Sequence, residues 1–122
     1  MTPDLDLLAE ADAAAQHAYA PYSKFHVGAA VRARDGRIVT GVNVENGAYP
    51  LGICAEKAAI SAAVNAGYGP DDLEAIAITA SPCGGCRQWL AEFRIGSVTY
   101  RRAGGEVVAV TPADLLPDSF VL

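Results

Sequence analysis

The sequence predicts a three-layer α/β/α domain around a mixed five-stranded sheet. Three observations carry this reading. Helical and strand patterns alternate in the order α-β-β-α-β-α-β-β, with no repeats or linkers. Asp35-Gly36 marks an antiparallel hairpin between two early strands. The step from a strand at Ala75 through a helix to a strand at Val98 is long enough for a parallel crossover, so the sheet must mix both senses.

The elements follow in order. Leu5, Leu8, Ala11, Ala15, Ala18 and Tyr19 recur at helical spacing from about Asp4 to Tyr19, and Pro21 stops that helix. His26 to Arg34 and Arg37 to Val44 read as the hairpin strands. Ala55, Ala58, Ala59, Ala62, Ala63 and Ala66 mark a second helix with a small-residue face, closed by Gly67. Ala75 to Ala80 reads as a buried strand. Ser81 suits an N-cap and Pro82 a first helical position, which opens a third helix through Trp89, Leu90 and Phe93. Val98 to Arg101 and Val107 to Val110 are two further strands, followed by a helical turn near Pro112 to Leu116. At 122 residues, 52% hydrophobic and 19% charged, the chain can fill one core, and residues 1–122 are read as a single domain.

Charge and cysteine usage narrow the function. A net charge of −5 argues against a nucleic-acid partner, because phosphate contacts need clustered Lys and Arg, and Arg101-Arg102 is the one basic pair. No stretch approaches the roughly 20 apolar residues of a membrane span, and the first residues lack the pattern of a signal peptide. Three cysteines, an odd number, fit a reducing compartment better than a disulfide framework, so a cytoplasmic location is expected. The expected ligand is small and not strongly anionic.

All three cysteines fall in two short segments, Cys54-Ala55-Glu56 and Pro82-Cys83-Gly84-Gly85-Cys86. Three thiolates around zinc leave a fourth tetrahedral position for water, the mark of a catalytic rather than a structural site. Both segments sit at predicted helix starts, which favour thiolates. Glu56 could then move the protons of that water. Other readings stay open: a C-x-x-C redox pair, a four-ligand structural zinc completed by His17, His26 or a carboxylate, or three unrelated buried thiols. Glu56 could simply complement a helix dipole. Residues i and i+2 of a regular helix do not face each other, so Cys54 and Glu56 share a site only if the metal lies over the helix end.

These residues resemble the cytidine deaminase family, in its small free-nucleoside branch. The resemblance runs through Tyr19-Ala20-Pro21-Tyr22-Ser23-Lys24-Phe25, Val27-Gly28-Ala29-Ala30, Gly41-Val42-Asn43-Val44-Glu45-Asn46, the two cysteine segments with Arg87-Gln88, and Leu115-Leu116-Pro117-Asp118-Ser119-Phe120. It implies that Cys54, Cys83 and Cys86 bind zinc and that Glu56 shuttles protons. It also implies that Asn43 and Glu45 hold sugar hydroxyls, that Phe25 flanks the nucleoside, and that Phe120 stacks on the base in a neighbouring subunit of a homotetramer. An amide and a carboxylate two residues apart on a strand suit a ribose hydroxyl as donor and acceptor, although a solvated strand end would look the same. Lys57 stands where many relatives with three cysteines have Arg, Gly47 where Ala is usual, and the stretches before Pro82 and from Arg94 to Tyr100 are short. Lys57 or Arg87 is expected to donate to the sulfurs and withdraw charge from them.

The expected activity is zinc-dependent hydrolytic deamination of cytidine, and of 2′-deoxycytidine, in pyrimidine salvage. The alternatives are a deaminase of another aminopyrimidine, such as free cytosine or a nucleoside-like antibiotic, and a zinc-stabilised binding or redox module. A dimer is the fallback to the tetramer.

Overall fold

The computed structural model describes residues 1–122. Helix α1 (Leu5–Ala15) precedes strands β1 (Gly28–Ala33) and β2 (Ile38–Val42), and a 3₁₀ turn at Tyr49–Leu51 leads into α2 (Ala55–Asn65). Strand β3 (Leu73–Ile78), α3 (Gly84–Glu92), β4 (Ser97–Arg101), β5 (Val107–Val110) and the short α4 (Pro112–Leu115) complete the order. The five strands form one sheet, ordered β2-β1-β3-β4-β5. Only β3 and β4 run parallel, joined across α3, so the mixed α/β sheet is as the sequence predicts.

Side-chain alternation along the central strands separates two apolar layers. Ala29, Val31, Ala33, Ile76 and Ile78 face Ala59, Ile60 and Ala63 of α2 and Leu90 of α3. Ala30, Ala75 and Ala77 face Leu7, Leu8 and Ala11 of α1 on the other side. The α1 layer is lined with alanine, which brings the helix close to the sheet. Asp4 caps α1 by accepting from the Leu7 N–H at 3.1 Å, and it pairs with Arg32 of β1 at 2.6 Å. Gly41 does similar work for α2. A Cβ there would lie 2.3 Å from the Ala59 nitrogen and 2.8 Å from the Ala55 oxygen, so only glycine lets α2 rest on β2.

Several boundaries move from their sequence-based positions. α1 ends at Ala15 rather than near Tyr19, and Leu7 is buried while Leu5 is 63% exposed. Tyr19 leaves the helix to bridge Val44, exchanging backbone bonds with Asn43 and Glu45. The hairpin turn has three residues rather than two: Ala33 pairs with Arg37, and Gly36 adopts φ +95°, the left-handed position of a three-residue loop. β2 ends at Val42, and Val44 is exposed.

Candidate metal and catalytic site

The two cysteine segments meet at the end of the sheet where β2 and β3 finish and β1 begins, and where α2 and α3 start. Cys54 is the N-cap of α2, with extended backbone at φ −81° and ψ 158°. Cys83 is the N-cap of α3, at φ −70° and ψ 168°, and Cys86 lies buried in its first turn. Ser81-Pro82 is therefore not the cap of this helix, as its residue types predict. The helix starts two residues later because Cys83 takes the cap position and turns its thiol toward the other two. Cys54 lies outside the helical periodicity for the same reason. This resolves the i, i+2 difficulty with Glu56, since the cluster sits over the helix end.

The three sulfurs lie within 4.8 Å of one another, with Cys54 and Cys83 at 3.7 Å and Cys83 and Cys86 at 3.4 Å. No histidine and no carboxylate oxygen joins this set, so neither His17 nor His26 offers a fourth ligand. Burial pushes the Cys86 and Cys54 thiols above their ordinary value, with Glu56 adding repulsion at both. Burial also acts on Cys83, but the bond from the Cys86 backbone N–H and those shared with the neighbouring thiols outweigh it and bring Cys83 down. Three sulfurs this close cannot all be thiolates unless a cation lies between them. The donor set, soft sulfur with one position left for another ligand, fits zinc.

Glu56 is 3% exposed yet lines the adjoining cavity. Burial raises its carboxyl above the ordinary carboxylate range, against the pull of its own backbone N–H, the Cys86 thiol and the Lys57 charge. Lys57 is half-buried, and its Nζ stands against the first turn of α3, 3.6 Å from where a Gly85 Cβ would be. Arg87 departs from expectation. Its Nε donates to the Pro82 carbonyl at 2.9 Å and its Nη1 to the Leu115 carbonyl at 3.1 Å, so these N–H groups brace α3 and α4 rather than reach sulfur. The Leu115 carbonyl closes α4, where carbonyls lack intrahelical donors, and the Pro82 carbonyl lies outside α3 just before its N-cap; the guanidinium fork satisfies both.

The cavity beside the thiols has a volume of about 480 Å³, within the usual range for small-molecule sites. Phe25, Asn43 and Glu45 line it together with Glu56, Cys54 and Cys83. Phe120 does not; it is 66% exposed on the C-terminal tail. Asn43 and Glu45 do not stand free on a strand face. Asn43 Oδ1 accepts from the Val27 N–H at 2.9 Å, and its Nδ2 donates to the Phe25 carbonyl at 2.8 Å. Glu45 Oε1 accepts from the Tyr22 and Ser23 N–H groups at 3.0 and 3.1 Å, and Oε2 accepts from the Ser23 hydroxyl. One donor and one acceptor position of the Asn43 amide are thus already used. Sequence reasoning assigned no role to Tyr22, Ser23 or Tyr49 in the cavity wall. The rings of Tyr22 and Tyr49 meet at 6.0 Å, and the Tyr22 hydroxyl would lie 3.2 Å from a Cβ at Gly47. Aromatic residues at loop positions, where no core needs them, were the available signal.

Comparison with known proteins agrees with this geometry. Residues 1–102 match the family model of the cytidine and deoxycytidylate deaminase zinc-binding region. A cytidine deaminase of Sporosarcina psychrophila is 45% identical, over 93% of this chain and 88% of its own. The crystal structure of cytidine deaminase from Burkholderia pseudomallei superposes with a TM-score of 0.88 at 42% identity, covering 98% of this chain and 100% of that one. That from Mycobacterium tuberculosis gives 0.83 at 42% identity, with 99% and 100% covered. The chain belongs to the cytidine and deoxycytidylate deaminase family, whose zinc-binding region it carries.

Proposed function

We propose that this chain is a zinc-dependent cytidine deaminase, converting cytidine and water to uridine and ammonia. The observation that carries the reading is a three-sulfur cluster, with no fourth protein ligand, opening beside a buried carboxyl onto a nucleoside-sized cavity. Cys54, Cys83 and Cys86 would hold the metal. When bound, zinc supplies the Lewis acidity that lowers the pKa of a water. Glu56 takes one proton from the attacking water and passes it to N3 of the base. It then carries a second to the amino nitrogen, which leaves as ammonia. Phe25 flanks the nucleoside, Asn43 donates to a sugar hydroxyl and Glu45 accepts from it. Lys57 offsets negative charge at the α3 start. A carboxylate and an amide at the sugar position favour nucleosides over free cytosine. 2′-Deoxycytidine is a second substrate, which gives the enzyme a role in pyrimidine salvage in the cytoplasm.

The 122 residues act as one catalytic domain within a homotetramer. Exposed Tyr22, Phe25, Tyr49 and Ile53 around the cavity mouth support that assembly, because a small base needs a dry, closed pocket and one copy leaves this one open. Phe120 from a neighbouring copy is the proposed lid.

Glu56→Gln tests the chemistry. The variant keeps size and hydrogen bonding but cannot take a proton, so ammonia release should fall by at least roughly 10²-fold. Elemental analysis should still find one zinc per chain. Near-parental turnover would return Glu56 to a helix-dipole role, and a protein purified without zinc would end the metal reading.

A further inference from the structure

Residues 22–25 are tied to Glu45 more tightly than a cavity wall requires. Three donors from two consecutive residues converge on one carboxylate: the Tyr22 and Ser23 N–H groups on Oε1 and the Ser23 hydroxyl on Oε2. The same hydroxyl accepts from the Phe25 N–H at 3.0 Å, while Lys24 between them adopts φ +63°. Phe25 is thus held at its N–H by Ser23 and at its carbonyl by Asn43.

Hydrogen-bond inventory shows what this arrangement decides. An ionised carboxylate offers about four lone-pair positions, and three are taken here. A serine hydroxyl has one proton. Because the Phe25 N–H occupies one side of the oxygen, that proton points to Glu45. The two bonds on Oε1 leave the carboxylate a pivot about which Oε2 can swing. The Ser23 hydroxyl removes that freedom and leaves a single acceptor position for a ligand.

We infer that Ser23 is a positioning residue that aims the one free acceptor position of Glu45 at a sugar hydroxyl of the nucleoside. The inference rests on the cytidine deaminase reading above. Ser23 touches no reacting atom; it acts through Glu45. Its loss therefore weakens the binding of substrates with sugar hydroxyls and spares the chemical step.

The test is steady-state kinetics of the zinc-loaded parent, Ser23→Ala, Ser23→Thr, Glu45→Gln and the Ser23→Ala/Glu45→Gln double variant. The readouts are kcat and KM for cytidine and the inhibition constant of 2′,3′-dideoxycytidine, which lacks both hydroxyls. Ser23→Ala should raise the cytidine KM roughly tenfold, the usual effect of one bond to a charged group. It should leave kcat within about two-fold and dideoxycytidine inhibition unchanged. Ser23→Thr should restore the KM, and the double variant should be no worse than Glu45→Gln alone. Equal losses for cytidine and dideoxycytidine would overturn the inference, because the effect of Ser23 on binding would then run through Phe25 and the loop rather than through Glu45. Additive losses in the double variant would overturn it too, as would an unfolded Ser23→Ala, since an exposed positioning hydroxyl leaves folding intact. An active parent with an indifferent Ser23→Ala sinks this inference alone. A parent inactive on cytidine sinks the deaminase reading and this inference with it.

Discussion

Glu45 shows how one side chain can hold a loop and still line a cavity. The Ser23 hydroxyl, helped by the Ser23 and Tyr22 N–H groups and the nearby His26, holds its carboxyl below the ordinary value of 4.5, against the opposing effect of burial. A carboxylate depressed in the folded state stabilises the fold fully above its unfolded pKa. That contribution is lost as pH falls through the folded value. Glu45→Gln should therefore be less stable than the parent in urea at neutral pH, and the two midpoints should converge as pH falls below the ordinary carboxylate range. The gathering of the three thiols beside Glu56 was legible in the sequence because those residue types, at short spacing in two segments, suit one metal site. The Ser23–Glu45 bond was not, because its partners lie 22 residues apart and no periodicity links them. Arg87 was misplaced for a related reason. Its type predicts charge near sulfur, while the nearest carbonyls without donors decide where its N–H groups go.

Among elements, α2 carries two of the four chemical groups, and its seat on β2 sets where they stand. Gly41→Ala would press a methyl into the Ala55–Ala59 backbone, forcing α2 away from the sheet. Overpacking of this kind costs about 1–3 kcal/mol. Thermal melting should show that loss, and competition with a chelator should show weaker zinc retention than in the parent. The strand and helix order was readable because hydrophobic periodicity changes from one element to the next. β5 runs from Val107 to Val110 as its pattern predicts. The start of α3 was not readable, because Ser and Pro favour a helix opening at Ser81-Pro82 on local grounds. The requirement that Cys83 face two other sulfurs overrides that preference. Tertiary demands move helix ends more easily than they change helix identity.

For the whole molecule, the C-terminal tail and the cavity mouth bear on one question. Both leave apolar side chains exposed, Phe120 at 66% and Tyr49 at 73%. Light scattering is expected to give four times the 12.6 kDa chain mass, with Phe120→Ala weakening substrate binding or turnover. A fully active monomer would refute the shared-site arrangement. The parallel pairing of β3 with β4 has a separate consequence, in the order of events during folding. Cys54 precedes its partner Cys83 by 29 residues, and α3 must cross the sheet before β4 can dock. During synthesis the hairpin, α2 and β3 emerge first and can pair antiparallel while one thiol waits. The three sulfurs can meet only once Cys83 and Cys86 have followed β3 out, so a metal held between them would be captured after the earlier strands have paired rather than as the seed of folding.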